Sequence, residues 1–409
     1  MEEYKLSDIA EVRTGPFGSQ LHNEDYVSTG TPIVTVEHLG NRRFSKQNLP
    51  LVSDDDKKRL SKYLLQEGDI VFSRVGSVDR CSYVTSAEND WLFSGRCLRV
   101  RCGNNCHPLF LYYYFCKESV KQYIKSIAVG ATMPSINTKL MAEIPILLPK
   151  LEEQRCIADI LSSFDDKIEL NRRINDNLEQ QAQALFKAWF VDFEPFKDGK
   201  FVESELGMIP EGWKVGRLEE LAEIVCGGTP SKANAAYFDN KCIPWITPKD
   251  LSIQKTKFVS RGEMDITEEG YQNSSARKIP SGSVLFSSRA PIGYISIAKN
   301  ELTTNQGFKS LVPIKAGTCF LYLYLKENTK NIEALATGST FKEASGSLMK
   351  SLNVLCPPKS VFDNFENLVF PYFSKQASLE NEMAHLSRAR DLLLPKLMSG
   401  ELKINDLNC

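Results

Sequence analysis

Lys5-Leu6-Ser7-Asp8-Ile9-Ala10-Glu11-Val12 reads against Arg217-Leu218-Glu219-Glu220-Leu221-Ala222-Glu223-Ile224 as one segment written twice, 212 positions apart. Gly15 and Gly227 close the two copies at the same offset. That offset also pairs Pro32-Ile33-Val34-Thr35 with Pro244-Trp245-Ile246-Thr247, Leu39 with Leu251, and Gly95 with Gly307. One spacing held across most of the chain marks a duplication, and a duplicated chain has approximate two-fold symmetry available to it.

At 409 residues the chain has room for two to four domains, each able to bury a core. Hydrophobic residues make up 42% and charged residues 25%, as in ordinary soluble globular proteins. No run of 18 apolar residues occurs, so no membrane span is expected, and Met1-Glu2-Glu3-Tyr4 lacks the apolar stretch of a secretory leader. The 11 cysteines are scattered singly, which suits reduced thiols in a cytoplasm. Cys102-Gly103-Asn104-Asn105-Cys106-His107 gathers metal-ligand types but has no second pair at finger spacing, so no metal site is expected.

The formal net charge of −1 argues against a generic nucleic-acid sponge. By segment the picture sharpens. Residues 151–196 carry 5 Lys+Arg against 10 Asp+Glu, whereas 1–150 carry 19 against 17 and 197–357 carry 20 against 17. Two mildly basic units facing a polyanion, with an acidic helix facing something else, fit this asymmetry; ordinary solvated surface fits it equally.

Short β-branched and aromatic runs bounded by Gly and Pro, such as Pro32–Val36, Asp69–Ser73 and Ser283–Ser287, predict strands in both halves. Helical spacing over Leu109–Ile127 and Phe320–Leu335 makes each unit α/β or α+β. A long helix then follows each unit. In the second half Phe365, Val369, Tyr372, Gln376, Leu379, Met383, Leu386, Arg390, Leu393 and Leu397 step by four and three, a coiled-coil seam with two polar interruptions. Ser360 and Asp363 predict a capping box at its start, and Pro371 predicts a kink or a split. In the first half Ile157, Leu161, Phe164, Ile168, Ile174, Leu178, Ala182, Leu185 and Trp189 form the matching stripe. The expected organisation is a globular unit over 1–150, a long helix over 151–196, a linker over 197–212, a second unit over 213–357 and a second helix over 358–409. Antiparallel pairing of the helices would make them a ruler between two related heads, pseudo-two-fold symmetric, able to touch two sites on a linear polymer.

Gly227-Gly228-Thr229-Pro230-Ser231-Lys232, Tyr237 and Ile243-Pro244-Trp245-Ile246-Thr247-Pro248-Lys249-Asp250-Leu251 resemble the target-recognition domain of type I restriction-modification specificity subunits. So do Thr132-Met133-Pro134-Ser135-Ile136-Asn137, Leu151-Glu152-Glu153-Gln154 and Leu170-Asn171-Arg172-Arg173-Ile174-Asn175. Phe186-Lys187-Ala188-Trp189-Phe190-Val191-Asp192-Phe193-Glu194-Pro195 is similar to the family's central segment, and Leu394–Glu401 to its closing one. The resemblance runs through essentially the whole chain. It implies two recognition domains that read the halves of a bipartite, asymmetric duplex DNA target, with no catalysis in this subunit. It also implies two methyltransferase subunits as partners and, in a restriction complex, two motor-nuclease subunits. S-adenosylmethionine, ATP and Mg2+ would then be bound by those partners, and none by this chain. Thr14-Gly15-Pro16-Phe17-Gly18-Ser19 departs from the second half's Gly-Gly-Thr-Pro-Ser, which implies different half-sites.

The residues themselves agree with a non-catalytic role. There is no Asn/Asp-Pro-Pro-Tyr/Phe element for a flipped adenine and no G-x-x-x-x-G-K-[S/T] phosphate loop. Asp54-Asp55-Asp56-Lys57 and Asp165-Asp166-Lys167 are expected to be solvated surface. Phosphate and base contacts call for Lys, Arg, amide and hydroxyl side chains on loops after short strands. Candidates in the first unit are Arg42, Arg43, Arg74, Ser77, Arg80, Arg96 and Thr132. In the second they are Thr229, Ser231, Lys232, Thr247, Lys249, Ser288, Arg289, Gln306, Lys309, Thr340 and Lys342. Arg74 and Arg289 lead because each follows a Phe-Ser strand end. Trp189, Phe190, Phe193 and Phe196 exceed the needs of one seam; Trp189, Phe190 and Phe193 form a candidate docking patch for the methyltransferase, or else these aromatics pack on the linker Asp198-Gly199-Lys200 that follows. A fused nuclease or methyltransferase would show activity in the purified chain, and a protein-only coiled-coil adaptor would show no salt-dependent DNA binding.

Overall fold

The computed structural model describes residues 1–17, 20–338 and 342–402. The chain forms two compact units, Met1–Lys167 with His385–Cys409, and Ile168–Ala384, so the division runs through both long helices.

In the first unit, strand Glu2–Lys5 pairs antiparallel with Pro145–Leu148 and leads into one helical turn, Leu6–Ile9, whose two apolar ends are buried. Strand Ala10–Thr14 then edges an antiparallel sheet completed by Cys97–Cys102, Ile70–Ser73 and Cys81–Tyr83. A second sheet joins Tyr26–Val27, Leu51–Val52, Thr31–Val34 and Leu92–Phe93, the last two in parallel. Helix Pro108–Cys116 is apolar all round and buried from Phe110 to Phe115, as such a helix must be. The helical spacing over Leu109–Ile127 is shared between two helices. Lys117 takes extended backbone (φ −62°, ψ 133°), which re-aims Glu118–Ile127 so that Val120 and Ile124 face the core.

The second unit repeats this plan. Lys214–Arg217 pairs with Asn353–Cys356, the turn Leu218–Leu221 follows, and Ala222–Cys226 pairs with Lys309–Pro313. Val284–Ser288, Ile292–Ala298 and Phe258–Val259 complete that sheet. Ile243–Ile246 runs parallel to Thr303–Thr304, as Thr31–Val34 does to Leu92–Phe93. The duplicated sequence is therefore a duplicated topology.

The helices Leu151–Phe190 and Lys359–Ser399 have 40 and 41 residues, each about 60 Å long at 1.5 Å per residue. Within each unit their segments pair antiparallel. In the first, Ile157 and Leu161 share a core with Leu397 and Met398, and Arg390 pairs with Asp165. In the second, Phe186 meets Phe365, and Gln376 reaches the Asn175 carbonyl at 3.2 Å. Of the predicted seam, Ile157, Leu161, Ile168 and Leu379 are buried, while Phe164, Leu178, Leu185, Met383, Leu386 and Leu393 are half-buried.

Three expectations need correction. Ile174 is 36% exposed; the four-three rhythm instead runs through Asn171, fully buried, and half-buried Asn175, which apolar counting passes over. Of the kink or split expected at Pro371, the split does not occur: the lost backbone bond and ring clash together cost about 3 kcal/mol, and buried Phe365, Val369 and Phe373 hold both flanks. The helix also begins at Lys359, so Ser360 lies in its first turn and not at a cap.

The polar seam residues have specific partners. Asp165, expected to be solvated, is 12% exposed and accepts from the Tyr113 hydroxyl at 2.6 Å as well as from Arg390. In the second unit Lys257 is buried between the seam and the sheet. Its ammonium donates to Glu179 at 2.8 Å and to Gln376 at 2.7 Å, and its backbone N–H donates to Glu380 at 2.8 Å. Burial lowers the Lys257 ammonium to about 8, although Glu179 pulls the other way. Burial would raise Glu179, but Lys257 and Lys326 outweigh it and hold its carboxyl at about 2.

Candidate nucleic-acid interface

In the second unit the loop after Ala222–Cys226 approaches the neighbouring chain so closely that side chains are excluded. A Cβ on Gly227 would lie 1.9 Å from the Asn305 carbonyl oxygen, and one on Gly228 would lie 2.2 Å from the Ala276 nitrogen. The two glycines thus serve backbone approach, and they set Thr229 beside Gln306, whose N–H is 3.5 Å from the Thr229 hydroxyl. Trp245 fastens the same loop by donating its indole N–H to the Gly228 carbonyl at 3.0 Å. Thr247 caps helix Pro248–Gln254 in a reciprocal box with Asp250, which sends Lys249 outward.

These elements enclose a cleft of about 910 Å3 lined by Thr229, Lys232, Thr247, Lys249, Arg289 and Gln306, six of the sequence candidates. Lys249 and Glu263 pair at 2.6 Å with both side chains exposed, so little holds the ammonium in place. Asn305, Trp245 and Met264 also line the cleft and were missed. The consecutive amides of Asn305-Gln306 before Gly307 were the available signal for Asn305.

Other candidates fall elsewhere. Ser288 is fully buried and donates to the Gly307 carbonyl at 3.0 Å. Lys309, 7% exposed, lies behind the cleft, 3.4 Å from the Ser288 hydroxyl and 3.1 Å from Glu343. Ser231 and Lys342 are exposed outside the cleft lining. Thr340 lies outside the described residues, as do Gly18 and Ser19 of the first-half motif.

In the first unit, Arg74 donates to the Gly95 carbonyl at 3.3 Å, and its guanidinium sits 6.0 Å from the Phe17 ring centroid. Phe17 itself is 63% exposed. Arg96 is exposed next to them, its carbonyl accepting the Arg74 N–H at 2.8 Å. Ser77 and Arg80 line a separate cleft of about 640 Å3 with Lys121 and Lys125. Thr132 is exposed on the loop that carries Ser135, which bridges to Val75. Arg42 and Arg43 do not join this group. Arg42, with φ of 63°, reaches back to Asp166 at 2.9 Å and to the Ser162 carbonyl at 3.4 Å, and Arg43 lies 3.7 Å from Asp166. These two guanidiniums tie a loop to the long helix.

Arg74 and Arg289 are not equivalent in the repeat. The N–H of Arg74 meets the Arg96 carbonyl, and the N–H of Ser288 meets the Gly307 carbonyl; Ile136 and Ala344 donate back to Arg74 and Ser288. Arg74 thus matches Ser288, and Arg289 sits one residue further on.

The proposed docking patch is not free. Phe190 is 5% exposed and packs on Trp213, Phe320, Phe362 and Phe365. Trp189 meets Phe196 and Phe365, and Phe193 meets Phe201 and Trp213. These aromatics fold the segment after the helix onto its own unit, where they exceed the seam because they serve a second contact. Among the described residues, no group of three His, Cys, Asp or Glu is placed to hold a metal ion, and no helix is long and apolar enough to cross a membrane.

Two like units carry cationic and hydroxyl side chains on loops after strands, joined by amides in the second, which are the side-chain types of a protein that binds a polyanionic polymer. The family model for the type I restriction modification DNA specificity domain matches residues 1–180 and 210–361, and the chain belongs to that family. Its role is sequence-specific DNA recognition without catalysis of its own. The HindI specificity subunit of Haemophilus influenzae is 28% identical, over 98% of this chain and 99% of the relative. The MjaIX specificity subunit of Methanocaldococcus jannaschii is also 28% identical, over 98% and 94%. The crystal structure of the S subunit from M. genitalium superposes with a TM-score of 0.64 over 97% of this chain and 95% of that one, at 16% identity, and so shares the fold.

Proposed function

We propose that the chain reads a bipartite, asymmetric DNA target, one half with each unit, while its long helices set the unread spacer. It would carry two methyltransferase subunits and, in a restriction complex, two motor-nuclease subunits, with S-adenosylmethionine, ATP and Mg2+ bound by those partners. In this reading it works in the cytoplasm.

The observation that carries the proposal is the convergence of Thr229, Lys232, Lys249, Arg289 and Gln306 on one cleft of the second unit. Lysines there suit phosphates, and amides with arginine suit base edges. Arg74, Ser77, Arg80, Arg96 and Thr132 are the first unit's contact set. Asymmetry of the target follows from unlike residues at like positions, Phe17 against Thr229 and Arg74 against Ser288.

Methylome sequencing of cells with and without the chain tests this. A split adenine-methylation motif that disappears with the chain supports it. Unchanged methylation with the partner subunits present refutes it.

A further inference from the structure

Arg289 is the one arginine lining the cleft among the described residues, and it is held from behind. Its Nη1 lies 3.4 Å from Glu343, which also takes the buried Lys309 ammonium at 3.1 Å. Glu343 is itself fixed by backbone. It exchanges hydrogen bonds with Thr337 at 2.8 and 3.3 Å, and the next residue, Ala344, donates to the Ser288 carbonyl at 2.9 Å. A lone carboxylate at this depth would repel phosphates. Lys309 cancels it, so the trio presents one net positive charge to the cleft.

Charge neutralisation of phosphate by itself needs no such bracing, since an exposed, mobile cation such as Lys249 supplies it. A planar fork held in one orientation is what bidentate recognition requires, and the base edge that offers two adjacent acceptors in the major groove is the O6/N7 edge of guanine.

Resting on the DNA-reading proposal above, we propose that Arg289 reads a guanine in the half-site of the second unit and that Glu343, steadied by Lys309, is its positioning residue. The first unit braces Arg74 differently, through Phe17 and the Gly95 carbonyl, at a position one residue earlier in the repeat.

The test uses the full chain with the subunits it assembles with, selecting from duplex DNA in which both half-sites are randomised. The wild type should enrich a split motif. Arg289→Ala should erase the preference for guanine at one position of one half-site, roughly ten- to hundred-fold, and leave every other position intact. Glu343→Ala should weaken that same single preference, and Glu343→Gln should restore part of it, which a merely structural role for Glu343 would not do. Lys249→Ala should lower binding to all sequences alike and flatten the salt dependence. An unchanged motif in Arg289→Ala, a uniform loss across sequences, or loss of a base other than guanine would overturn the assignment while leaving DNA reading intact. A wild type that enriches no motif would overturn both.

Discussion

Replacing Glu179 with Gln removes the anion that faces Lys257 at 2.8 Å and Lys326 at 2.5 Å, while keeping the side chain's size. The Lys257 side chain is 6% exposed, so its charge would be left buried with only Gln376 to accept from it. Removing one partner of such a pair costs about 3–5 kcal/mol, against ~1 kcal/mol or less for an exposed pair. The pH dependence distinguishes this from a packing defect. With its folded value near 8, below that of the free side chain, Lys257 is charged at neutral pH at a cost to the fold, a cost relieved as pH rises from about 8 through the free lysine value. The penalty of Glu179→Gln should therefore be full at pH 7 and shrink at pH 9.5. At the acid end the sign reverses: Glu179, held at about 2, contributes stability above the free carboxylate value that is lost as pH falls toward 2. Urea unfolding followed by tryptophan fluorescence reads mainly this unit, because three of the four tryptophans, Trp189, Trp213 and Trp245, lie within Ile168–Ala384, and a Trp91→Phe background removes the fourth. A midpoint drop of about 1–2 M is expected at pH 7, for a slope near 2–3 kcal/mol/M. The double variant Glu179→Gln with Lys257→Met should recover most of it. A cost of ~1 kcal/mol or less at pH 7, or the same cost at both pH values, would refute the buried-pair argument.

Arg42→Ala should destabilise the first unit by about 1.5–3 kcal/mol through loss of its bonds to Asp166 and Ser162, and leave DNA affinity unchanged; denaturation and binding titrations separate the two. Leu161→Ala should cost about 2–5 kcal/mol, since the side chain is fully buried in the first unit's core. Pro371→Ala should raise the unfolding midpoint, because the exposed proline interrupts a helix that continues on both sides. Deleting one heptad from each long helix should change the length of the unread spacer in the methylation motif and leave both half-sequences intact; an unchanged spacer would remove the helices from spacing.

The duplication, the strand-and-turn character of the units and both long helices were legible because each is written in periodicity. Offsets of 212 residues, alternation between turn residues and four-three steps depend only on local geometry. Legibility failed where burial overrides residue type. Asn171 and Asn175 hold seam positions that apolar counting assigned to Ile174, because the rhythm of a helix decides which side faces inward whatever the side chain is. For Trp189, Phe190 and Phe193 residue type left two readings open, a docking patch or packing on the segment that follows, and contacts with Phe196, Phe201 and Trp213 decide for the second.

The binding candidates divide in the same way. The sequence by itself determined which residue types sit on loops after strands, and so which side chains had the chemistry to meet DNA. Only the tertiary structure decided that Arg42 turns back onto a helix, that Lys309 lies buried behind Arg289, and that six of the remaining side chains open on one cleft. The physical reason is that a side chain's chemistry belongs to the residue, whereas its availability depends on what segments far along the chain place opposite it. Here Asp166 and Glu343, 124 and 54 residues from the arginines they hold, make that choice.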